Sequence, residues 1–422
     1  MARFMVSVTS VFWTAIVPGG RQVRVRILKF GGTSLAGIDR IESAADRVLE
    51  TLQAGVHPLV VVAAMAGVTD QLLALGRQLH HDPPAEELDR LLATGEMQTA
   101  SLLAIALRHR GVSARSFSGS EAGLLTDGNF GRARLRHLNS SPVTAALAAS
   151  EIPVVAGFQG ATDDGRVTTL GRGGSDLSAV ALGVAHAADR IVMLRNVEGV
   201  RSADPRMLPL SYRLERLDYQ SMIDLAHAGA PLIHPQALEM ARAHQIAFEL
   251  RGMGSHSDST RVAADCGAAI PPVWMVMLSN PVSVISIDSL PHDVPMIARV
   301  MRLLDRTDLK LDGAVQKTDS RSGLAMNIML PDLEGPVLLE QLQDYLREER
   351  QISFQLERRQ RRVTLVGRGV TSRRVQLAID AVAQRLGPPM VSFSGPRHRA
   401  FMVGDREGRD WLASLHQELI GR

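Results

Sequence analysis

Apolar positions from Val23 to about Leu250 fall into two alternating textures. Short, nearly unbroken apolar runs at Val23–Phe30, Pro58–Ala64, Ile152–Ala156 and Arg190–Leu194 read as strands, because a strand covered on both faces needs no polar side. Between them, Ile38–Leu52, Ala85–His109 and Leu177–His186 carry apolar residues at helical spacing. This alternation predicts an α/β domain whose mostly parallel sheet is sandwiched by helices.

After about Pro271 the units shorten. Strand Val282–Asp288, helix Pro295–Leu304, strands Leu309–Gln316 and Leu324–Leu330, and helix Pro336–Glu348 form one set. Strand Arg362–Val366, helix Arg373–Leu386, strands Met390–Ser394 and Ala400–Val403, and helix Glu407–Leu419 form a second. Two successive β-α-β-β-α sets of about 70 residues predict a duplicated ferredoxin-like α+β module. The expected organisation is an extension over 1–22, an α/β domain over 23–265, and small modules over 275–350 and 351–422. Several cores suit 422 residues, since one domain usually takes ~100–200.

Composition removes several function classes. With 45% hydrophobic and 22% charged residues the chain is neither disordered nor fibrous. An aromatic content of 4% argues against a base-stacking surface, so no nucleic-acid partner is expected. No run approaches the ~18 apolar residues of a membrane span, so no membrane partner is expected either. The single cysteine, Cys266, excludes an internal disulfide framework and a cysteine metal cluster, which suits a reducing cytoplasm. Phe4–Val17 is mildly apolar behind Arg3, but it lacks a basic n-region and an A-x-A cleavage site, so it reads as an extension or an upstream start. The basic run Arg358, Arg359, Arg361 and Arg362 reads as a solvated strand end.

Two glycine-bearing strings carry candidate chemistry. The first, Lys29-Phe30-Gly31-Gly32-Thr33-Ser34, stands where a strand gives way to a helix. Glycines there let the backbone approach a phosphate, N–H groups at the helix start donate to it, and Lys29 adds charge for oxygens that become more negative during transfer. The alternative is a plain tight turn, and the spacing is not that of a G-x-x-x-x-G-K-[ST] loop. The second string, Thr168-Thr169-Leu170-Gly171-Arg172-Gly173-Gly174-Ser175-Asp176, is followed by a helical pattern and is not G-x-G-x-x-G. Arg172 offers a planar fork for a carboxylate. Asp176 is open to two readings, as a partner that orients Lys29 or as a helix N-cap.

Together these strings resemble the aspartate kinase family, within the amino acid kinase fold. Further strings lie in the family's order: Ala63 to Asp70, Gly95-Glu96, Ser118 to Asp127, Phe158-Gln159-Gly160, Val200 to Arg206, and Gly229 to Pro235. The resemblance spans about residues 25–262 and implies ATP-dependent phosphorylation of the side-chain carboxylate of L-aspartate to 4-phospho-L-aspartate, the first step towards lysine, threonine and methionine. It implies that Arg172 and Glu96 hold the α-carboxylate and α-amino groups, with Thr69 and Ser175 completing that pocket. Lys29, Phe30, Gly31 and Gly32 would hold the phosphates, with Arg195, Asn196, Asp204 and Arg206 on the nucleotide side. Catalytic roles fall to Lys29, Asp176 and Arg172. Magnesium would bridge phosphates rather than sit in a protein cage, so no protein metal ligands are expected. Glu96 alone also reads as an ordinary solvated helix residue.

The chain departs from the family on the nucleotide side. Arg195-Asn196 replaces a Thr-Asp pair, Arg201 a tyrosine, and Pro231 a lysine. An arginine at 195 or 201 is a candidate replacement for the missing cation. The C-terminal modules resemble paired ACT domains, with Val315-Gln316 and Leu365-Val366-Gly367 at matching places. Pro295-Met296 and Arg373-Arg374 stand where the family shows Pro-Gly, which predicts weak or absent feedback by lysine and threonine. The modules would then serve a homodimer or higher homo-oligomer. Two alternatives stay open: a non-catalytic amino-acid-binding regulatory paralog, and a kinase for another amino acid carboxylate.

Overall fold

The structure is a computed structural model that describes residues 24–421 except 197, 231, 255–257, 265–270, 291–293, 307–308, 310, 312, 320–322 and 350. The expected extension over 1–22, Cys266 and the Pro231 position lie outside the described residues. The chain divides into two compact units, the first over 1–200, 213–226 and 231–269, the second over 201–212, 227–230 and 270–422.

The first unit opens with strand β1 (Val25–Phe30), helix α1 (Ile38–Gln53), β2 (His57–Val62), α2 (Val68–Leu79), α3 (Ala85–His109) and β3 (Ala114–Phe117). A small side sheet follows, made of β4 (Leu124–Thr126), β5 (Leu135–Leu138), and, after α4 (Ser141–Ala148) and β6 (Ile152–Ala156), β7 (Gln159–Ala161) and β8 (Val167–Thr169). Next in the chain come α5 (Gly174–Ala185), β9 (Ile191–Arg195), β10 (Val200–Arg201), β11 (Arg213–Leu214), β12 (Arg216–Leu217), α6 (Tyr219–His227), α7 (Pro235–His244), β13 (Phe248–Gly252) and β14 (Ser259–Val262), of which the last residues of β10 and α6 already count to the second unit.

The main sheet runs β12-β14-β13-β9-β1-β2-β6-β3. From β13 to β3 every neighbouring pair is parallel, and only β14 runs antiparallel to β13. The expected parallel sheet is therefore present, and its strand ends match the sequence reading to within two residues. One face packs Leu28, Phe30, Val60, Val62, Val154 and Val192 against Ile41, Val48, Leu103 and Leu107 of α1 and α3. Helix α5 covers the other face of β1 and β2 and packs on α7. It begins at Gly174, three residues before the apolar pattern does, because its first turn is chemical rather than hydrophobic.

The second unit holds β15 (Met275–Leu278), β16 (Val282–Leu290), α8 (Val294–Arg306), β17 (Gly313–Asp319), β18 (Gly323–Pro331), α9 (Gly335–Tyr345), β19 (Ser353–Val366), α10 (Arg373–Leu386), β20 (Val391–Ser394), β21 (His398–Gly404) and α11 (Gly408–Leu419). Both expected ferredoxin-like modules are present, but they are not simply consecutive. They share one sheet, β17-β18-β16-β19-β21-β20. Strand β15 precedes the first module in sequence yet pairs with the last residues of β19, Val363 to Val366, in the second. The first half of β19 pairs with β16, and its second half with β21.

This arrangement explains the basic run. Arg358, Arg359, Arg361 and Arg362 are not a strand end but the middle of a 14-residue strand; Arg358 and Arg359 are solvated as expected, while Arg361 and Arg362 are half-buried. Asp332 pairs with Arg358 at 3.1 Å, and Asp405 pairs with Arg359 at 3.1 Å and with Arg361 at 2.5 Å. These carboxylates come from distant turns, so local sequence gives no sign of the pairing. Each module keeps its own core, with Ile285, Val300, Ile328 and Leu342 in one and Val363, Phe401, Trp411 and Leu415 in the other.

Candidate active site

Strand alternation settles where Lys29 goes. Leu28 and Phe30 face α1 and α3, so Lys29, between them, turns to the face that α5 covers. There its Nζ lies 2.5 Å from Oδ1 of Asp176, in the first turn of α5, with the two side chains only 6% and 5% exposed. The other oxygen, Asp176 Oδ2, accepts from Arg195 Nη2 at 3.3 Å and from the backbone N–H of His234 at 3.1 Å. One carboxylate thus gathers two cations at the carboxyl ends of β1 and β9, the edge where parallel α/β sheets place their ligands.

Burial pulls the Lys29 ammonium below the usual lysine range. Asp176 opposes this, and the positive charge of Arg195 adds to it. For Asp176, burial alone would raise the carboxyl. Lys29 and Arg195 outweigh it and hold the group below the usual carboxylate range. Asp176 is therefore a fixed anion at neutral pH.

The loop after β1 is drawn tight. Gly31 N–H and Ser34 Oγ both donate to the carbonyl of Leu194, at 3.3 and 3.1 Å, and residues Gly32–Leu35 form a short 3-10 turn. A Cβ on Gly32 would stand 2.7 Å from the carbonyl oxygen of Ala64, so only glycine fits. A Cβ on Gly31 would meet nothing nearer than Leu194 O at 3.9 Å, so the Cα side of this residue is open, although its N–H is already taken by Leu194. Phe30 is fully buried in the core, so its contribution to the loop is confined to its backbone. Asn196 Nδ2 donates to the Thr33 carbonyl at 3.2 Å and so braces the loop from β9.

Glu96 sits on the inner face of α3. Its Oε1 accepts from Ala64 N–H at 3.0 Å, while Oε2 is buried and has no hydrogen-bond partner among the described residues. Burial raises its carboxyl to about 7, and the Ala64 bond and the charge of Lys29 only partly offset that. Gly95 lets α3 approach this closely, since a Cβ there would lie 3.0 Å from Ala64 Cβ. Ser175 is buried beside Gly157, and Thr69 lies half-exposed in the first turn of α2. Arg172 is exposed in the loop between β8 and α5 and makes no hydrogen bond or ion pair with any described residue.

Of the two candidate replacement cations, Arg195 reaches the Lys29 cluster. Arg201 belongs to the second unit, where its Nε donates to Ser211 Oγ at 3.2 Å and its Nη2 to the Ser211 carbonyl. Asp204 and Arg206 also belong to that unit and pair with each other at 2.7 Å. Among the described residues no group of three or more His, Cys, Asp or Glu side chains is arranged to hold a metal ion.

Sequence reading gave no individual role to three participants, two of which, His234 and Ala64, lie in the strings Gly229 to Pro235 and Ala63 to Asp70. The His234 N–H caps Asp176, and its ring packs so closely on Gly173 that a Cβ there would lie 2.6 Å from His234 Cδ2. Ala64 N–H fixes Glu96. Asp89, on the same helix as Glu96, accepts hydrogen bonds from Gly131 and Thr169. The Gly173 string was the available signal for a close neighbour, but nothing local points from Asp89 across 80 positions to Thr169.

Comparisons with known proteins bear on the family and the fold. A family model described as the amino acid kinase family matches residues 24–249. Aspartokinase 2 of Bacillus subtilis is 33% identical over 82% of this chain and 85% of its own length. The aspartokinase of Corynebacterium efficiens is 35% identical over 82% of this chain and 84% of its own. Among solved structures, E. coli aspartokinase III in complex with lysine and aspartate has the same fold, with a TM-score of 0.75 at 23% identity, covering 94% of this chain and 99% of that one. The same enzyme in complex with aspartate and ADP gives a TM-score of 0.69 over 94% of this chain and 100% of that one. Shared sequence over most of both lengths, together with the Lys29–Asp176 centre, places this chain in the aspartokinases of the amino acid kinase family.

Proposed function

We propose that this chain transfers the γ-phosphoryl group of ATP to the side-chain carboxylate of L-aspartate, giving 4-phospho-L-aspartate and ADP. One observation carries the reading: the buried Lys29–Asp176 pair, joined by Arg195, beside a glycine loop at the carboxyl end of β1. An aspartate carboxylate oxygen forms the new bond to phosphorus as the bond to the ADP oxygen breaks, and no proton needs to move. Lys29 and Arg195 neutralise charge on the transferring and leaving oxygens, and Asp176 holds both cations in place before the reaction begins.

The donor set suits a polyphosphate. Two cations share one carboxylate, which leaves a net positive charge, and no side chain at Gly31 stands in the way of a close approach. Magnesium, when bound with the nucleotide, supplies further neutralisation of phosphate oxygens. On the acceptor side, Glu96 takes the α-ammonium on its unpartnered Oε2, and the free guanidinium of Arg172 takes the α-carboxylate. Ser175 and Thr69 complete this pocket. Asn196 acts indirectly by bracing the Thr33 backbone. The proposed product feeds lysine, threonine and methionine synthesis, and the second unit serves self-association.

Hydroxylamine converts an acyl phosphate to a hydroxamate, so incubation with ATP, magnesium and hydroxylamine tests the acceptor. L-Aspartate is expected to give hydroxamate, and L-glutamate and succinate far less. Hydroxamate from another acid but not from aspartate would reassign the substrate, and none from any acid would refute the kinase reading.

A further inference from the structure

From its contacts we infer that Asp89 is a positioning residue that ties the Glu96 helix to the Arg172 loop, so that the two ends of the amino acid substrate are held at a fixed separation. Asp89 is 1% exposed on α3. Its Oδ2 accepts from the backbone N–H groups of Gly131 and Thr169, at 2.9 and 2.7 Å, and its Oδ1 accepts from Thr169 Oγ1 at 2.7 Å. Three donors on one buried carboxylate far exceed what capping its own helix would require.

Position on the helix gives these bonds their meaning. Asp89 and Glu96 are seven residues apart, two turns on one face, which is about 10 Å along the axis. Between them the carbonyl of Ala93 accepts from Gln159 Nε2 at 2.8 Å, so the same face is also fastened to β7. Thr169 ends β8, three residues before Arg172. Arg172 makes no hydrogen bond or ion pair with any described residue, and its place is set by what holds the loop on either side. Downstream, His234 and Phe158 crowd Gly173 and Gly174. Upstream the holds are Leu170 N–H on the Phe158 carbonyl at 2.8 Å, Ala133 N–H on the Thr169 carbonyl at 2.8 Å, the pairing of Gln159 with Thr169, and Asp89 on Thr169. Of these, Asp89 joins Thr169 directly to the helix carrying Glu96, whereas β7 does so through the Gln159 side chain.

This inference rests on the proposed roles of Arg172 and Glu96, and its test separates the two. Steady-state kinetics with varied aspartate and varied ATP are measured for Asp89→Ala, Asp89→Asn, Arg172→Ala and the double variant Asp89→Ala/Arg172→Ala. Asp89→Ala is expected to raise KM for aspartate about tenfold, with kcat and KM for ATP changed less than about threefold, since small misplacement of a binding group is enough for such a loss. Asp89→Asn keeps an oxygen for both backbone donors and an amide for the Thr169 hydroxyl, so it is expected to restore KM. In the double variant, Asp89→Ala adds nothing to the effect of Arg172→Ala.

An equal rise in both KM values, or additive effects in the double variant, would overturn the inference in favour of a purely structural role. If Arg172→Ala alone leaves KM for aspartate unchanged, the assignment of Arg172 fails and this inference fails with it. Should Asp89→Ala not fold, Thr169→Val removes only the Oδ1 bond. A rise in KM for aspartate alone would support the inference, and an unchanged KM would contradict it.

Discussion

Lys29 Nζ and Asp176 Oδ1 stand 2.5 Å apart with both side chains nearly inaccessible to water, and Arg195 leans on the other oxygen of the same carboxylate. Removing Asp176 therefore leaves the buried Lys29 facing a half-buried Arg195 with no anion between them. Asp176→Asn is expected to lower kcat by about 10²–10³. It should also destabilise the first unit by about 3–5 kcal/mol, the usual cost of orphaning a buried charge. Adding Arg195→Met to Asp176→Asn should recover part of that stability in denaturant unfolding. Additive losses in the double variant would show that the two cations do not share Asp176.

Arg195 stands where the family resemblance calls for a neutral residue, and in the proposed function it supplies the charge that a lysine at position 231 would bring. Arg195→Met is expected to raise KM for ATP about tenfold while leaving KM for aspartate near its starting value, and Arg195→Lys should recover part of the loss. Calorimetry with ATP and magnesium gives the same answer without turnover. No ATP binding by the native chain at millimolar concentration would contradict the assignment of this side of the site.

The proposed role of Glu96 links substrate binding to pH. Its carboxyl is raised from 4.5 to about 7 by burial, so the folded chain keeps a proton there that the unfolded chain has released. Stability is therefore expected to fall as pH rises from 4.5 towards 7, and Glu96→Gln should flatten that slope. Binding an α-ammonium needs the ionised form. KM for aspartate should accordingly decrease as pH rises through about 7, with the dependence lost, at uniformly high KM, in Glu96→Gln. A pH-independent KM for the native chain would argue against Glu96 as the ammonium ligand.

Gly173 has a φ of 72° and lies against His234, where a Cβ would come within 2.6 Å of the ring. Gly173→Ala is strained twice, by its backbone and by the clash, and is expected to cost about 1–3 kcal/mol. Because His234 N–H also holds Asp176, the substitution should lower kcat as well as stability. A variant with native thermal stability and native kcat would show that the loop yields freely.

In the second unit, Arg373 and Arg374 open α10, and Arg374 Nη2 donates to the Glu418 carbonyl at 3.3 Å. Side chains at a turn where glycine would admit a ligand predict that lysine and threonine leave the activity unchanged at submillimolar concentration. Inhibition by either one in that range would refute the steric argument.

The strand and helix pattern was legible because buried parallel strands are apolar throughout and their helices keep a clear period. Lys29 stood out as a charge at the end of such a strand, and Arg172 as a cation among glycines. Glu96 was legible only through the ordered set of strings, since nothing in one glutamate on a 25-residue helix marks its burial. Asp89 follows Glu86 and Glu87 and reads as one more acid near a helix start, yet its partners lie 42 and 80 positions away. The join between β15 and β19 was hidden for the same reason. Its strands lie in the same unit but are separated in sequence by a whole module, and the pairing of the Arg358–Arg362 run with Asp332 and Asp405 is invisible locally because those acids come from distant turns.

The central claim is that Lys29, held by Asp176, neutralises charge during transfer of a phosphoryl group to aspartate. Its most direct test is ADP formation that depends on aspartate, measured for the native chain and for Lys29→Ala with calorimetric titration of aspartate into both. The account predicts aspartate-dependent ADP from the native chain, a loss of at least about 10²-fold in kcat for Lys29→Ala, and similar aspartate binding by the two. Equal ADP formation by both chains, or none by the native chain despite intact aspartate binding, would contradict it.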